Sequence, residues 1–282
     1  MNIGMIGLGL IGGSVAKALK KNTPHTVLGY DISEQVLYKA ALLEAIDGEL
    51  TEDRLPICDM VIVATRPQNA IDYVRDHACS FKKGAIVMDM CGIKEQVCEA
   101  LMPLAEQNGF LFIGAHPMAG IEYSGFDYAN TNLFANASII LTPPKGVGIE
   151  TLDMLKKFWG AIGFSHLEIT NPENHDRIIA YTSQLAHVVS SAYIKSPTAQ
   201  EQYGYSAGSY KDMTRVAKLD AEMWTELFLA NRKPLLHEID TLMANLGSYR
   251  AAIAAGDAEQ LTALLQEGCE KKRLADRKDL KA

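Results

Sequence analysis

Short apolar runs alternate with amphipathic stretches through the first 170 residues. The runs fall at 2–6, 26–30, 60–64, 85–88, 110–114, 138–141 and 166–169, and each predicts a strand. Between them, apolar positions recur with helical spacing at 11–20, 34–43, 69–77, 95–107 and 149–162. Strands alternating with helices in this way predict βαβ units and a doubly wound parallel sheet. The pattern changes after Thr170. Asn171-Pro172-Glu173 reads as a helix start with proline in the first turn, and no convincing strand follows before Asp279. Long helices are predicted at 173–194, 221–246 and 258–274, and they are more apolar than so small a bundle could bury alone. A helical dimer interface would absorb the excess.

Composition narrows the classes of function. The chain has 282 residues with 27 Lys and Arg against 34 Asp and Glu, a net charge of −7 that offers no field for phosphate backbones. Nucleic acid is therefore not an expected partner. Hydrophobic residues at 48% and charged residues at 22% are values of a folded globular chain. Five cysteines, with no Cys-x-x-Cys pair and no Cys/His spacing for zinc, fit a reducing cytoplasm and no metal site. Glycines break the N-terminal apolar stretch and lysines follow it, the reverse of a secretory signal, and no run reaches the ~18 apolar residues of a membrane span.

Chemistry enters first at Gly7-Leu8-Gly9-Leu10-Ile11-Gly12, which follows the first predicted strand and opens a helix. In that setting Gly7 permits a tight turn, Gly9 lets backbone approach a pyrophosphate, and Gly12 allows close helix-to-strand packing. The N–H groups of the helix start, at Leu10 and Ile11, would face the anion. Asp31 ends the second strand, where its carboxylate would accept hydrogen bonds from ribose hydroxyls and repel a 2′-phosphate, favouring NAD. It could also cap the next helix. The expected fold is an α/β, Rossmann-like dinucleotide-binding domain over 1–170 followed by an all-α domain over 171–282 that binds substrate and dimerises.

Substrates of open α/β sheets bind beyond the C-terminal strand ends, so His116, just after the 110–115 run and held extended by Pro117, is a candidate hydrogen-bond acceptor or general base. His187 lies in an apolar helix with Ser183, Gln184, Ser190 and Ser191 on its face, which reads equally as a pocket wall or as a satisfied core histidine. Arg215 could present a planar fork to a carboxylate.

These residues together resemble the prephenate dehydrogenase family, including its arogenate-using members, over essentially the whole chain. His116-Pro117-Met118-Ala119-Gly120 with Glu122, Ser124 and Gly125 is similar to the family's first histidine block. Ser183-Gln184-Leu185-Ala186-His187 is similar to its second, and Lys211-Asp212 through Thr214-Arg215, with Met223-Trp224 and Asn231-Arg232, to its third. The resemblance implies NAD-dependent oxidative decarboxylation of prephenate to 4-hydroxyphenylpyruvate on the route to tyrosine; a homodimer is expected from the apolar helices after Thr170. It implies that His116 accepts a hydrogen bond from the ring hydroxyl as hydride leaves C4. Arg215 would pair with a substrate carboxylate, His187 would orient the substrate, and Glu122 would gate or tune the pocket. One position departs from the family: Asp89-Met90-Cys91-Gly92-Ile93-Lys94 carries glycine where many members have serine. Gly92 cannot supply a hydroxyl to orient His116, so water or a backbone group substitutes, or the ring is less well held. Alternatives are an arogenate dehydrogenase, a 3-hydroxyacid-type dehydrogenase, for which a catalytic lysine is expected, and a nucleotide-sensing protein that has kept the fold without the chemistry.

Overall fold

The computed structural model describes residues 1–121 and 123–279. Among them eight strands form one sheet: β1 (Asn2–Ile6), β2 (Thr26–Tyr30), β3 (Gly48–Glu49), β4 (Met60–Val63), β5 (Ile86–Asp89), β6 (Leu111–Pro117), β7 (Ser138–Thr142) and β8 (His166–Ile169), in the spatial order 3-2-1-4-5-6-7-8. Helices α1 (Leu10–Asn22), α2 (Glu34–Leu42), α3 (Pro67–Asp76), α4 (Glu95–Asn108) and α5 (Ile149–Ala161) connect them. Strand order reverses between β1 and β4, and such a switch point is where open sheets form their ligand crevice.

The apolar runs are continuous because both faces of the sheet are covered. Ile3, Met5, Met60, Ile62 and Met88 belong to one core with Trp159, while Ile6, Val61, Val63, Val87 and Phe112 belong to the other. Alternation along each strand thus sends apolar side chains both ways.

Two features depart from the sequence expectation. β3 is a two-residue edge strand on β2, too short for any periodic signal. β6 runs through His116 and Pro117 rather than ending before them, since 114–117 pair antiparallel with β7, with His116 opposite Ile140. β5 pairs only as far as Ile113, so Pro117 has a neighbour on one side and its missing N–H breaks no ladder. The sheet is accordingly mixed, with parallel pairing everywhere but β6–β7.

The remainder of the described chain is helical: α6 (Pro172–Ile179), a π turn (Ala180–Gln184), α7 (Leu185–Tyr193), α8 (Gly208–Thr214), α9 (Ala221–Ala230), α10 (Arg232–Ala255) and α11 (Ala258–Asp279). Asn171 caps α6 by accepting from Asn174 N–H at 2.8 Å, and Asp220 caps α9 by accepting from Met223 N–H at 2.9 Å. The helix expected over 221–246 breaks at Asn231, whose amide turns inward to buried partners.

The chain forms two compact units, Met1–Arg232 and Lys233–Ala282. In the second, Gly256 adopts φ +64° to end α10, Asp257 caps α11, and the Tyr249 hydroxyl donates to Leu264 C=O at 3.0 Å. Leu236, Met243, Leu246 and Ile253, spaced by seven, three and seven residues along α10, remain more than half exposed. No described helix is long and apolar enough to cross a membrane.

Candidate active site

The glycine loop is shaped by contacts that exclude side chains. Gly7 turns at φ +81°, and a Cβ on Gly12 would stand 1.9 Å from Gly7 C=O, so α1 can approach β1 this closely only with glycine there. A Cβ on Gly9 would meet nothing within 4 Å, which marks the open side of the loop. The first turn of α1, from Leu10 and Ile11, has no side-chain cap and no acidic residue, leaving orphan N–H groups and a positive dipole end. Asp31 Oδ2 accepts from Leu8 N–H at 2.8 Å and Oδ1 from Ser33 N–H at 2.9 Å, so its carboxylate is fixed against the loop. Capping of α2 falls to Ser33 rather than Asp31.

His116 is part-buried near the end of β6. Its Nδ1 lies 2.9 Å from Nε2 of His175, and Nδ1 of His175 lies 2.6 Å from Asp176 Oδ1. Asp176 accepts further hydrogen bonds from Lys94 N–H at 2.7 Å and Glu95 N–H at 2.9 Å, where α4 begins. Asn231 donates from Nδ2 to Asp176 C=O and to Gln184 Oε1, both at 2.8 Å, which locks α6, the π turn and α9 together. Burial chiefly, with the neighbouring His175 and Lys94 charges, pushes His116 well below the ordinary imidazole range. The ring is thus a neutral acceptor at physiological pH.

Beneath it lies a fully buried ion pair between Lys94 Nζ and Asp89 at the end of β5. Asp89 also accepts from Cys91 N–H at 3.0 Å and Ala115 N–H at 3.2 Å. Burial alone would lower the Lys94 ammonium, but Asp89 above all raises it past its usual value. Burial pushes the Cys98 thiol up to about 12 and the Cys91 thiol well upward, so neither offers a thiolate nucleophile.

His187 is part-buried and stacks on Trp224, with ring centroids 3.8 Å apart, while its Nδ1 lies 2.9 Å from Ser183 C=O. Its Nε2 has no partner among the described residues. Burial, and then the charge of Arg215, lower its pKa, which places Arg215 within electrostatic reach. Arg215 is exposed and forms no ion pair among the described residues. Leu227, one turn after Trp224 on α9, closes on Gly92 and His116: a Cβ built on Gly92 would stand 3.7 Å from Leu227 and 3.8 Å from His116 Nε2. Helix α9 thus carries Trp224 against His187, within electrostatic reach of Arg215, and Leu227 beside Gly92, whose other neighbour is His116. Glu122 lies outside the described residues.

The family model described as prephenate dehydrogenase, nucleotide-binding domain, matches residues 15–167, and that described as prephenate dehydrogenase, dimerization domain, matches residues 171–267. The chain belongs to the prephenate dehydrogenase family. It is 33% identical to the cyclohexadienyl dehydrogenase of Zymomonas mobilis, covering 99% of this chain and 97% of that one. Among solved structures it is similar to prephenate dehydrogenase from A. aeolicus in complex with hydroxyphenyl propionate and NAD+, with TM-score 0.85, 28% identity and 98% of both chains covered. Synechocystis arogenate dehydrogenase follows with TM-score 0.82, 26% identity, and 98% and 100% of the two chains covered. The family makes this protein an oxidoreductase of the prephenate dehydrogenase type.

The sequence did not single out His175 and Asp176, which lie just after the expected helix start at Asn171-Pro172-Glu173. A signal was present: with Ile179 and Ala180 on the inner face, positions 175 and 176 fall on that face too, and polar residues there must find buried partners.

The buried pair makes a testable demand on stability. Removing one partner of such a pair strands the other charge at a cost of roughly 3–5 kcal/mol. In this family member Lys94→Met should lower the melting temperature by more than about 6 °C. Asp89→Asn with Lys94→Met, which removes both charges while keeping an acceptor oxygen for one of the Cys91 and Ala115 N–H groups, should recover part of the loss. A Lys94→Met protein melting within about 2 °C of wild type would show that the pair contributes little.

Proposed function

We propose that this protein catalyses the NAD-dependent oxidative decarboxylation of prephenate to 4-hydroxyphenylpyruvate. The observation that carries the reading is His116, an imidazole kept neutral at the end of a sheet strand in a chain of this family. The open face at Gly9, the orphan N–H groups of Leu10 and Ile11 and the fixed carboxylate of Asp31 fit a dinucleotide, with pyrophosphate on the helix start and ribose hydroxyls on Asp31. A 2′-phosphate would meet that carboxylate, so NAD is preferred over NADP.

NAD, when bound, supplies the hydride acceptor. The protein's part is proton and charge handling. Nε2 of His116 accepts the proton of the ring hydroxyl as the C4–H electrons depart, so a ketone develops in place of an alkoxide. The ring carboxylate is then lost as carbon dioxide; its electron pair enters the ring, the C4 carbonyl pair moves onto oxygen as the ring becomes aromatic, and that oxygen takes back the proton held on His116. Arg215 offers two parallel donors to a substrate carboxylate, and His187, backed by Trp224, orients the substrate through its free Nε2. Lys94, the lysine whose charge reaches His116, is buried against Asp89 and unsuited to the direct catalytic role that a 3-hydroxyacid-type mechanism would need.

Arogenate is the second reading, favoured by the named specificities of the relatives, which include cyclohexadienyl and arogenate dehydrogenases. It differs from prephenate by an amino group in place of the side-chain ketone, remote from the chemistry assigned to His116. Residues 1–170 are read as the dinucleotide domain and 171–282 as the substrate and dimerisation domain. The exposed stripe on α10, at coiled-coil spacing, is the surface on which two copies would meet.

NADH formation measured with prephenate and with arogenate, using NAD and NADP in turn, tests the reading. His116→Asn should lower kcat by roughly 10²–10⁴ with a smaller change in KM, and normal turnover in that variant would remove His116 from the chemistry. Arg215→Ala should raise the prephenate KM at least about tenfold, since losing one partner of a bonded charge pair costs ~2–5 kcal/mol. Arg215→Lys should recover only part, and a KM within about twofold of wild type would mean another cation holds the substrate. Light scattering should give a dimer mass for wild type and a monomer mass for Met243→Glu with Leu246→Glu. A wild-type monomer at micromolar concentration would contradict the assembly.

A further inference from the structure

Two sides of the His116 ring differ in what they touch. On the Nε2 side runs the backbone of Gly92, where a Cβ would stand 3.8 Å away, with Leu227 beside it. Glycine brings no hydroxyl to that side. On the Nδ1 side stands His175, 2.9 Å away and almost wholly buried.

The order of donors along this side follows from the carboxylate at its end. Asp176 Oδ1 accepts from Lys94 N–H and Oδ2 from Glu95 N–H, so both oxygens act as acceptors. The 2.6 Å contact from Oδ1 to His175 Nδ1 must then have the histidine donating. A neutral imidazole with its proton on Nδ1 carries a bare lone pair on Nε2, which can only accept from His116. His116 therefore donates from Nδ1 and presents a lone pair at Nε2. Burial lowers His175 from the ordinary imidazole value despite the pull of Asp176, which keeps it in the neutral form this order requires.

We propose that His175, oriented by Asp176, is the positioning residue that fixes His116 in the tautomer whose Nε2 accepts the substrate proton, taking over from behind the ring the hold that a hydroxyl at position 92 would give from the front. The inference rests on the reading of His116 as acceptor. It deepens that reading, because a base without a fixed tautomer spends part of its time with N–H at Nε2, aimed at the very proton it should receive. When His116 takes that proton, its Nδ1–H stays bonded to His175, and the imidazolium charge is supported through to Asp176, the logic of a base oriented by a third group.

The test pairs ¹⁵N NMR of histidine-labelled protein with steady-state kinetics on wild type, His175→Leu and His175→Gln, the His116 signals being identified by their loss in His116→Asn. The glutamine amide can accept from His116 and donate to Asp176, so it rebuilds the chain, whereas leucine fills the space and leaves Nδ1 of His116 unpaired. Wild type and His175→Gln should show the Nδ1–H tautomer, and His175→Leu a mixture with Nε2–H. The kcat of His175→Leu should fall roughly 10–100-fold, the range for losing a residue that orients another. His175→Gln should recover most of it, with prephenate KM moving less than about twofold in either variant. An unchanged tautomer and wild-type kcat in His175→Leu would overturn the proposal. Should that variant fail to fold, a folded His175→Gln protein with a lost Nδ1–H tautomer would overturn it as well. A tautomer shift in His175→Leu, in a protein whose wild type turns over neither prephenate nor arogenate, would uphold the positioning role and defeat the functional reading instead.

Discussion

The carboxylate of Asp176 is the point on which the site depends. Helix α4 begins at Glu95 without a side-chain cap of its own, so the first N–H groups need an acceptor from elsewhere. Asp176, 81 and 82 residues further along the chain, supplies both oxygens to them. A buried carboxylate in turn needs donors, and two backbone N–H groups at a helix start supply them. Its third contact goes to His175. Because the carboxylate is held by backbone at one end of α4 and by its own place in α6, the imidazole it binds is set with hydrogen-bond accuracy, and so is the next one, His116.

Lys94 ties this arrangement to the sheet. Its main-chain N–H binds Asp176 while its ammonium binds Asp89 at the end of β5, so one residue connects strand, helix start and helical segment. The cost of burying two charges is offset here by extra partners, since Asp89 also takes two backbone N–H bonds. The ammonium has an electrostatic consequence as well. It lowers the pKa of both His116 and His175, adding to burial, and keeps two adjacent imidazoles neutral where a carboxylate alone would draw a proton onto them.

What the sequence made legible and what it hid follow from how far each feature depends on distant chain. The strands were readable because both sheet faces are covered and the apolar runs are unbroken. The glycine loop was readable because its tightest contact, Gly12 against Gly7 C=O, lies within a few residues. The end of β6 was not, since its last residues are strand only through pairing with β7, more than twenty residues on. The break at Asn231 lies within an apolar stretch that looks continuous, and it exists because the amide reaches Asp176 C=O and Gln184 on other elements. His116, His187 and Arg215 were singled out by position and residue type. Their oriented partner His175 was not, because a histidine followed by an aspartate at a helix start carries no local mark of what it will meet across the fold.

The π turn over Ala180–Gln184 accounts for how one helical run presents both His175 and His187 to the same side. Leu185 N–H bonds to Ala180 C=O, five residues back, which inserts one residue relative to α-helical phase. At about 100° per residue, a regular helix would set positions twelve apart about 120° out of register, and His187 would face away from the side on which His175 meets His116. With one residue absorbed in the wide turn, the offset shrinks to about 20°. The same widening leaves Gln184 directed inward, where its amide donates to Leu227 C=O at 3.3 Å and accepts from Asn231. Those bonds fix α9, and α9 carries Trp224 against His187 and Leu227 against Gly92 and His116. A local irregularity of one residue thus sets the phase of the helix, turning His175 and His187 to the same side of it, and ties that helix to α9.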